Sequence, residues 1–167
     1  NHDNSVVVSE LPLRAGKMAN FRVATDATFN TAGTAAGGGM KRWDLSGALT
    51  NDADTQIVLA SSAGAYWAAD FPAATYAVPL SAGSDLLGVF NVDATAVTLL
   101  GVVSPTAGSF GTNISYDPPA IILKLPITPN AQWSSSSTVS GTLIGGFANY
   151  TETYESVVDS VGTMKTP

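Results

Sequence analysis

The sequence predicts an all-β protein, an antiparallel β-sandwich or partly open β-barrel of about ten short strands with little helix. Serine and threonine make up 35 of the 167 residues, and glycine and proline another 25. Serine and threonine compete for the backbone hydrogen bonds of a helix, and glycine and proline interrupt it. Short apolar or alternating runs also recur about every 8–12 residues between Gly, Pro, Asn or Asp, which is the spacing of a sandwich or barrel.

The expected strands are short runs that are apolar throughout or alternate between apolar and polar residues. These runs are Asn20–Thr25, Gln56–Ala60, Tyr66–Ala69, Thr75–Val78, Leu86–Val92, Ala96–Val103, Ile121–Leu125, Thr138–Ile144 and Phe147–Val158. Gly145-Gly146 lies between the last two and predicts a two-residue hairpin turn, because glycine adopts the positive φ angles that such turns need. The three consecutive glycines of Thr31–Gly39 predict a loop instead.

One domain is expected over residues 1-167, because a chain of this length supports one hydrophobic core and is short for two. Residues 1-10 form an extended arm in this interpretation, and its run Val6-Val7-Val8 is β-prone. The turn Asp159–Gly162 points the chain toward a further strand, and an open sheet edge exposes backbone N–H and C=O groups. We therefore expect the arm, a second copy or a C-terminal remainder to cover that edge.

The charge pattern excludes some partners. Seven Lys and Arg against 13 Asp and Glu give a net charge of -6, and Lys41-Arg42 is the only adjacent basic pair. Without a basic stripe to neutralise phosphates, nucleic acid is not an expected partner. An anionic membrane surface would repel the chain, and no apolar run is long enough to predict a transmembrane segment.

The chain contains no cysteine, which excludes disulfides, thiolate metal sites and cysteine nucleophiles together. A surface of hydroxyls rather than charges is typical of extracellular β-proteins. Because the sequence opens on Asn1 without a methionine, we take it to be a mature or trimmed product. These features predict an exported protein.

Two stretches of the chain resemble a known group. The matching motifs are Leu11-Pro12-Leu13-x-x-Gly16, Trp43-Asp44-Leu45-Ser46, Thr128-Pro129-x-x-x-Trp133 and Tyr154-Glu155-Ser156-Val157-Val158-Asp159-x-Val161-Gly162. With these motifs the sequence resembles uncharacterised exported proteins and lipoproteins of Gram-negative (myxobacterial-type) bacteria over about half of its length. The resemblance implies an exported protein that is extracellular, at the outer-membrane surface or in the periplasm. It also implies that closing strands beyond Pro167 are missing from this chain, and it implies no activity.

Residues that could support catalysis or metal binding are poorly arranged for either. His2 lies near a chain end, where nothing holds an imidazole in the orientation that a catalytic triad needs. Glu152 and Glu155 are three apart, which on a strand places them on opposite faces rather than around one glycosidic bond. Asp52 and Asp54 supply half a calcium site at most, and a solvated Asx turn is the alternative. We expect no enzyme, no metal site and no cofactor.

The candidate ligand-binding residues are Tyr66, Trp67, Asp70, Phe71 and Tyr76. Four aromatic rings and one acid so close together can form a stacking platform for a carbohydrate or another flat ligand. The alternative is core packing, because aromatic residues supply much of the bulk in this alanine-rich chain. The exposure of Trp67 distinguishes the two interpretations.

The function that these features favour is that of a non-catalytic exported protein, structural or binding, at the cell surface or in the periplasm. One alternative is a carrier of an apolar or lipid-like ligand, which requires a concave apolar wall within a β cup. Another is a self-assembling surface subunit, which requires strand exchange between copies.

Overall fold

The computed structural model describes residues 5–24, 28–47, 52–81, 83–108 and 110–166. In these ranges the chain is all-β, as predicted, with one 3₁₀ turn at Val8–Glu10. The strands are β1 (Met18–Ala24), β2 (Thr34–Ala35), β3 (Lys41–Asp44), β4 (Asp52–Val58), β5 (Tyr76–Pro79), β6 (Leu87–Val92), β7 (Ala96–Val103), β8 (Asn113–Lys124), β9 (Gln132–Leu143), β10 (Gly146–Val157) and β11 (Gly162–Lys165). They form three sheets, none of which closes into a barrel.

The main sheet has six strands in the order β10-β9-β8-β7-β6-β5, and each strand is antiparallel to its neighbours. Strands that follow one another in sequence are therefore neighbours in space, as in a meander. Three of these strands have 12 residues each. Strands β8 and β9 are longer than the runs predicted for them, whereas β10 has the length of the predicted run Phe147–Val158. The predicted strand at Tyr66–Ala69 is wrong, because these residues form turns that lie over the second core cluster described below.

The two faces of the main sheet carry separate apolar clusters. The first cluster contains Leu99, Val102, Ile114, Tyr116, Ala120, Val139 and Ala148. The second contains Trp67, Phe71, Ala77, Val89, Leu100 and Val103. Strand β7 contributes to both, so it is buried on both faces, and its near-continuous apolar sequence follows from this position.

A β-bulge in β7 sets which residues enter each cluster. Leu99 and Gly101 have partners in both flanking strands, whereas Leu100 between them has none. Side chains of a regular strand alternate between faces, so a bulge shifts the alternation by one residue. As a result Leu99 and Val102, three residues apart, face the first cluster, and Leu100 and Val103 face the second.

The pairing of β8 with β9 stops halfway along both strands. It covers Asn113–Asp117 and ends where Pro118 and Pro119 remove two backbone donors. Beyond the prolines, side chains of β9 replace the missing backbone bonds. The Ile121 N–H donates to the Ser135 hydroxyl at 2.9 Å, and the Trp133 indole N–H donates to the Ile121 carbonyl at 3.3 Å.

The N-terminal strands belong to two smaller sheets. Strands β1 and β4 form an antiparallel ribbon, and a bridge between Ala60 and Ala77 connects the residues after β4 to β5. Strands β11, β3 and β2 form the other sheet, in which β11 runs parallel to β3. The Lys165 ammonium also lies 3.8 Å from the Asp44 carboxylate across this pair. This parallel pair departs from the antiparallel pairing that we expected.

The chain ends differ from the expectation in two ways. Val6 of the arm exchanges two backbone hydrogen bonds of 2.9 Å with Ile127, while residues 1–4 lie outside the described ranges. The residues from Gly162 onward form β11 and pair with β3, so the turn leads into a strand of this chain. Closing strands beyond Pro167 stay a prediction. Within the described residues, β10 forms one edge of the main sheet and has no strand on its outer side, whereas β5 at the opposite edge is bridged only at Ala77, by Ala60.

The hairpin that joins β9 to β10 is confirmed, with its turn shifted by one residue. Ile144 and Gly145 form the turn, and Gly146 already pairs with Leu143. Gly145 has a φ of 79°, which explains why glycine is needed at this position.

A Cβ atom at Gly101 would overlap the Phe71 ring and the Ile114 carbonyl oxygen. Neither neighbour can move without opening the second cluster or the pairing of β7 with β8. We therefore expect Gly101→Ala to lower the free energy of unfolding by about 1–3 kcal/mol, the usual cost of overpacking. Denaturant unfolding measures the change. Gly108→Ala is the control, because nothing lies within 4 Å of a Cβ atom there; equal losses in the two variants would contradict the close approach at Gly101.

Candidate functional site

The predicted aromatic platform is divided between the two faces of the main sheet. Trp67 and Phe71 pack edge to face in the second cluster, with ring centroids 6.3 Å apart. Tyr76 of β5 stacks on Phe90 of β6 at 5.3 Å, on the side of the first cluster. The fold therefore brings the rings of Trp67 and Phe71 together, as predicted, and places the Tyr76 ring on the opposite face of the sheet.

Burial decides between the two interpretations of these rings. Trp67 is 2% exposed, and Phe71 and Tyr76 are buried as well. A flat ligand cannot stack on rings that solvent does not reach, so the geometry favours core packing for these three residues. Tyr66 is the one exposed ring of the four, and ligand binding at Tyr66 and Asp70 stays a prediction.

Tyr66 and Asp70 fasten this segment to the end of the main sheet. The Tyr66 hydroxyl donates a hydrogen bond that is shared by two carbonyl oxygens, that of Ser104 at 3.2 Å and that of Thr112 at 3.4 Å. The Asn113 amide donates to the Asp70 carboxylate at 2.8 Å. Burial raises the pKa of the Tyr66 hydroxyl, and the charge of Asp70 adds to the rise. Both polar groups therefore contribute to positioning the segment that covers the second cluster.

The candidate calcium half-site is part of a strand. Asp52 and Asp54 lie in β4 rather than in an Asx turn, and the Arg22 Nε atom lies 3.2 Å and 3.3 Å from their carboxylate oxygens. A guanidinium between two carboxylates occupies the position that a cation would need. Among the described residues, no three His, Cys, Asp or Glu side chains group closely enough to hold a metal ion. His2 and Asn51 lie outside the described ranges.

Glu152 joins two strands that are not neighbours. Its carboxylate accepts the Tyr116 hydroxyl at 3.0 Å and the Tyr154 hydroxyl at 2.8 Å. Tyr116 lies on β8 and Glu152 on β10, so this bond crosses over β9 on the side of the first cluster. Glu155 is exposed three residues further along. Because the strand alternates, the two carboxylates lie on opposite faces and do not flank one substrate.

A cleft of about 1180 Å³ opens beside the β1–β4 ribbon. Its walls come from the ribbon, from the chain before β2, and from the residues that follow β3 and β11. The lining residues are Asn20, Phe21, Arg22, Ala24, Phe29, Leu45, Asp54, Thr55, Gln56 and Thr166. Segments that are far apart in sequence therefore meet around one concave space.

The apolar part of the cleft consists of Phe21, Phe29 and Leu45. Both phenylalanine side chains are about half-exposed, although each would gain free energy from burial. Ligand sites of proteins are concave and mainly apolar, with a few polar groups that fix orientation. Half-exposed rings at a concave wall match that description, in contrast to the buried rings of the predicted platform.

The polar part of the cleft comes from other side chains of the β1–β4 ribbon. The Gln56 amide donates to the Asn20 side-chain oxygen at 2.8 Å, and Arg22 is held by Asp52 and Asp54. The hydrogen bond to Asp54 and the charge of Asp52 raise the pKa of the Arg22 guanidinium. One positive and two negative charges leave this group with a net charge of about -1 at neutral pH.

Sequence reasoning did not identify this cleft. It predicted the strand that carries Phe21, but no local pattern marks Phe29 or Leu45 as partners of that strand. The cleft depends on how the ribbon and the β11-β3-β2 sheet are placed, which is set by contacts between distant segments. An aromatic residue in a weakly apolar segment is the only signal that could have pointed to it.

Comparison of the chain with models of protein families, with curated proteins and with solved structures found no match. In the part of the chain that the structure describes, no helix is long and apolar enough to span a membrane.

Burial raises the pKa of the Tyr116 and Tyr154 hydroxyls, and the bond to the charged Glu152 raises both further. Glu152→Gln removes that charge, so we expect both phenols to ionise at lower pH than in the unchanged protein. A raised pKa favours the neutral phenol in the folded state. Its contribution to stability is therefore complete below the unfolded-state pKa of about 10 and is lost as the pH rises above it.

Absorbance of tyrosinate during an alkaline titration measures the shift. Glu155→Gln is the matched control, because this carboxylate lies on the opposite, exposed face of β10. If the two variants titrate alike, Glu152 does not hold the phenols in their neutral form.

Proposed function

We propose that this chain is a non-catalytic exported binding protein that holds an uncharged apolar or amphipathic small molecule in the cleft of Phe21, Phe29 and Leu45. The observation that carries the proposal is the pair of half-exposed phenylalanine rings at a concave wall. Transfer of an apolar ligand from water to such a wall removes apolar surface from solvent on both sides. The proposal combines the binding function expected from the sequence with the carrier alternative, and places the ligand in an open cleft.

The charges around the cleft favour a ligand without negative charge. Asp52 and Asp54 outnumber Arg22, and the whole chain carries a net charge of -6. A ligand carboxylate or phosphate would therefore meet a negative potential and find no unpaired cation among the described lining residues. Hydroxyl or amide groups of a neutral ligand can instead bond to the Asn20 and Gln56 side chains.

Export is the other part of the proposal. It rests on the hydroxyl-rich, cysteine-free composition and on the resemblance of the sequence motifs to exported proteins of Gram-negative bacteria. Location at the cell surface or in the periplasm fits a protein that binds a small molecule outside the cytoplasm.

Self-assembly is a second candidate, and the edge of β10 favours it. Gly146–Val157 has no strand on its outer side within the described residues, and it contains neither Pro nor Lys, which commonly block pairing at edges. A second copy of β10 could pair there antiparallel. Exchange of the N-terminal arm is less favoured, because Val6 is already bonded to Ile127. Light scattering over increasing protein concentration tests this candidate, and a constant monomer mass would exclude it.

Binding of a neutral apolar dye, N-phenylnaphthylamine, tests the cleft. We expect the unchanged protein to bind it, and Phe21→Ala with Phe29→Ala to weaken the affinity by roughly tenfold or more, since burial of a phenylalanine is worth more than about 1.4 kcal/mol. Binding of the anionic dye anilinonaphthalene sulfonate should be weaker than that of the neutral dye at low salt, because of the two carboxylates beside Arg22.

The matched control is the double variant Ile144→Ala and Phe147→Ala, which removes exposed apolar side chains outside the cleft. Thermal unfolding verifies that both double variants remain folded. The proposed site is wrong if the control loses as much affinity as the cleft variant, or if the unchanged protein does not bind the neutral dye.

A further inference from the structure

One end of the main sheet carries a group of exposed apolar side chains. The apolar tip, as we name it, consists of Leu80, Phe110, Leu143, Ile144 and Phe147. Phe147 is 89% exposed, Phe110 75% and Ile144 72%, and the other two are about half-exposed. Single exposed apolar residues are common on protein surfaces, whereas several at one place indicate an interaction site.

The meander places these residues at the same end. The turn from β5 to β6, the loop from β7 to β8 and the turn from β9 to β10 are alternate connections of the antiparallel meander, so all three lie at one end of the sheet. Asp85 of the first connection and Phe110 of the second line one depression. The Thr142 hydroxyl, next to the third connection, lies 3.4 Å from the Gly111 carbonyl oxygen. The three connections therefore adjoin one another.

The tip is almost free of charge. In the three connections, residues 80–86, 104–112 and 143–147, Asp85 is the only charged residue. All seven Lys and Arg residues of the chain lie elsewhere in the sequence. An acidic protein or an anionic lipid finds no cation to pair with at this end, and a basic protein would meet only the Asp85 carboxylate.

The backbone of the hairpin limits how deeply the tip can enter an apolar environment. Leu143 pairs with Gly146 across the turn, so the backbone groups between β9 and β10 are bonded where Ile144 and Phe147 project. The outer side of β10 has no partner strand within the described residues, and unpaired backbone groups are costly in hydrocarbon, so the contact is confined to the hydrated lipid interface.

We infer that the apolar tip inserts into the interface of an uncharged, zwitterionic lipid layer. The size and shape of the tip favour lipid over a second copy of the chain. Stable protein interfaces use about 20–30 residues a side with complementary shapes, whereas the tip offers five side chains on three separate turns. A fluid lipid interface accepts protruding side chains without a matching surface. This site is distinct from the cleft, and neither proposal depends on the other.

Co-sedimentation with phosphatidylcholine vesicles tests the inference. We expect the unchanged protein to partition onto these vesicles, and Ile144→Ser with Phe147→Ser to lower the partition coefficient by at least about tenfold. Vesicles that also contain phosphatidylserine should bind less protein at low salt, because the chain carries a net charge of -6. Phe21→Ser with Phe29→Ser is the control and should partition as the unchanged protein does.

A second measurement locates the contact without removing an apolar side chain. The indole introduced by Phe147→Trp should show a blue shift of its fluorescence on vesicle binding and quenching by brominated acyl chains, relative to the three native tryptophans. The inference is overturned if the unchanged protein does not sediment with phosphatidylcholine, if the tip and cleft variants sediment equally, or if the introduced indole is not quenched. A dimer in solution that only the tip variant loses would identify a second copy as the occupant and would also overturn it.

Discussion

Strand β7 is apolar along both of its faces, and both faces must be covered for the main sheet to be stable. The bulge at Leu100 makes this feasible, since it directs Leu99 and Val102 to one cluster and Leu100 and Val103 to the other. Side chains of β8, β9 and β10 pack around one face of β7 in the first cluster. On this face the Tyr116 hydroxyl of β8 donates to Glu152 of β10 across β9. The turns that carry Trp67 and Phe71 cover the opposite side. The rest of the molecule is arranged around these two buried surfaces.

This distribution of buried residues explains where apolar side chains remain exposed. The buried core comes from the second half of the chain and from the segment that begins near Trp67, whereas β1 and β4 contribute no fully buried residue. Phe21 and Phe29 therefore stay outside the core and form the wall of the cleft. The connections at one end of the meander project beyond the sheet, and no other part of the chain that the structure describes covers Phe110 or Phe147. Both proposed surfaces consist of apolar residues that the two clusters leave uncovered.

The amino-acid sequence was sufficient to predict the fold class, because composition and turn spacing are local properties. It also predicted the late hairpin, although the turn lies at Ile144–Gly145. It could not predict the burial of Trp67 or the exposure of Phe21, since exposure depends on segments that come from elsewhere in the chain. The parallel pairing of β11 with β3 has no local signal for the same reason. The cleft depends on that pairing and was missed with it.

The order of the strands along the chain also affects the order in which the sheets can form during synthesis. Each pair of neighbours in the main sheet is joined by a short connection, so these contacts are local and fast to form. Strand β3 is different, because the whole main sheet is synthesised between it and its partner β11. Thr166, immediately beyond β11, lines the cleft. During synthesis the cleft is therefore completed after the main sheet, once β11 has joined β3.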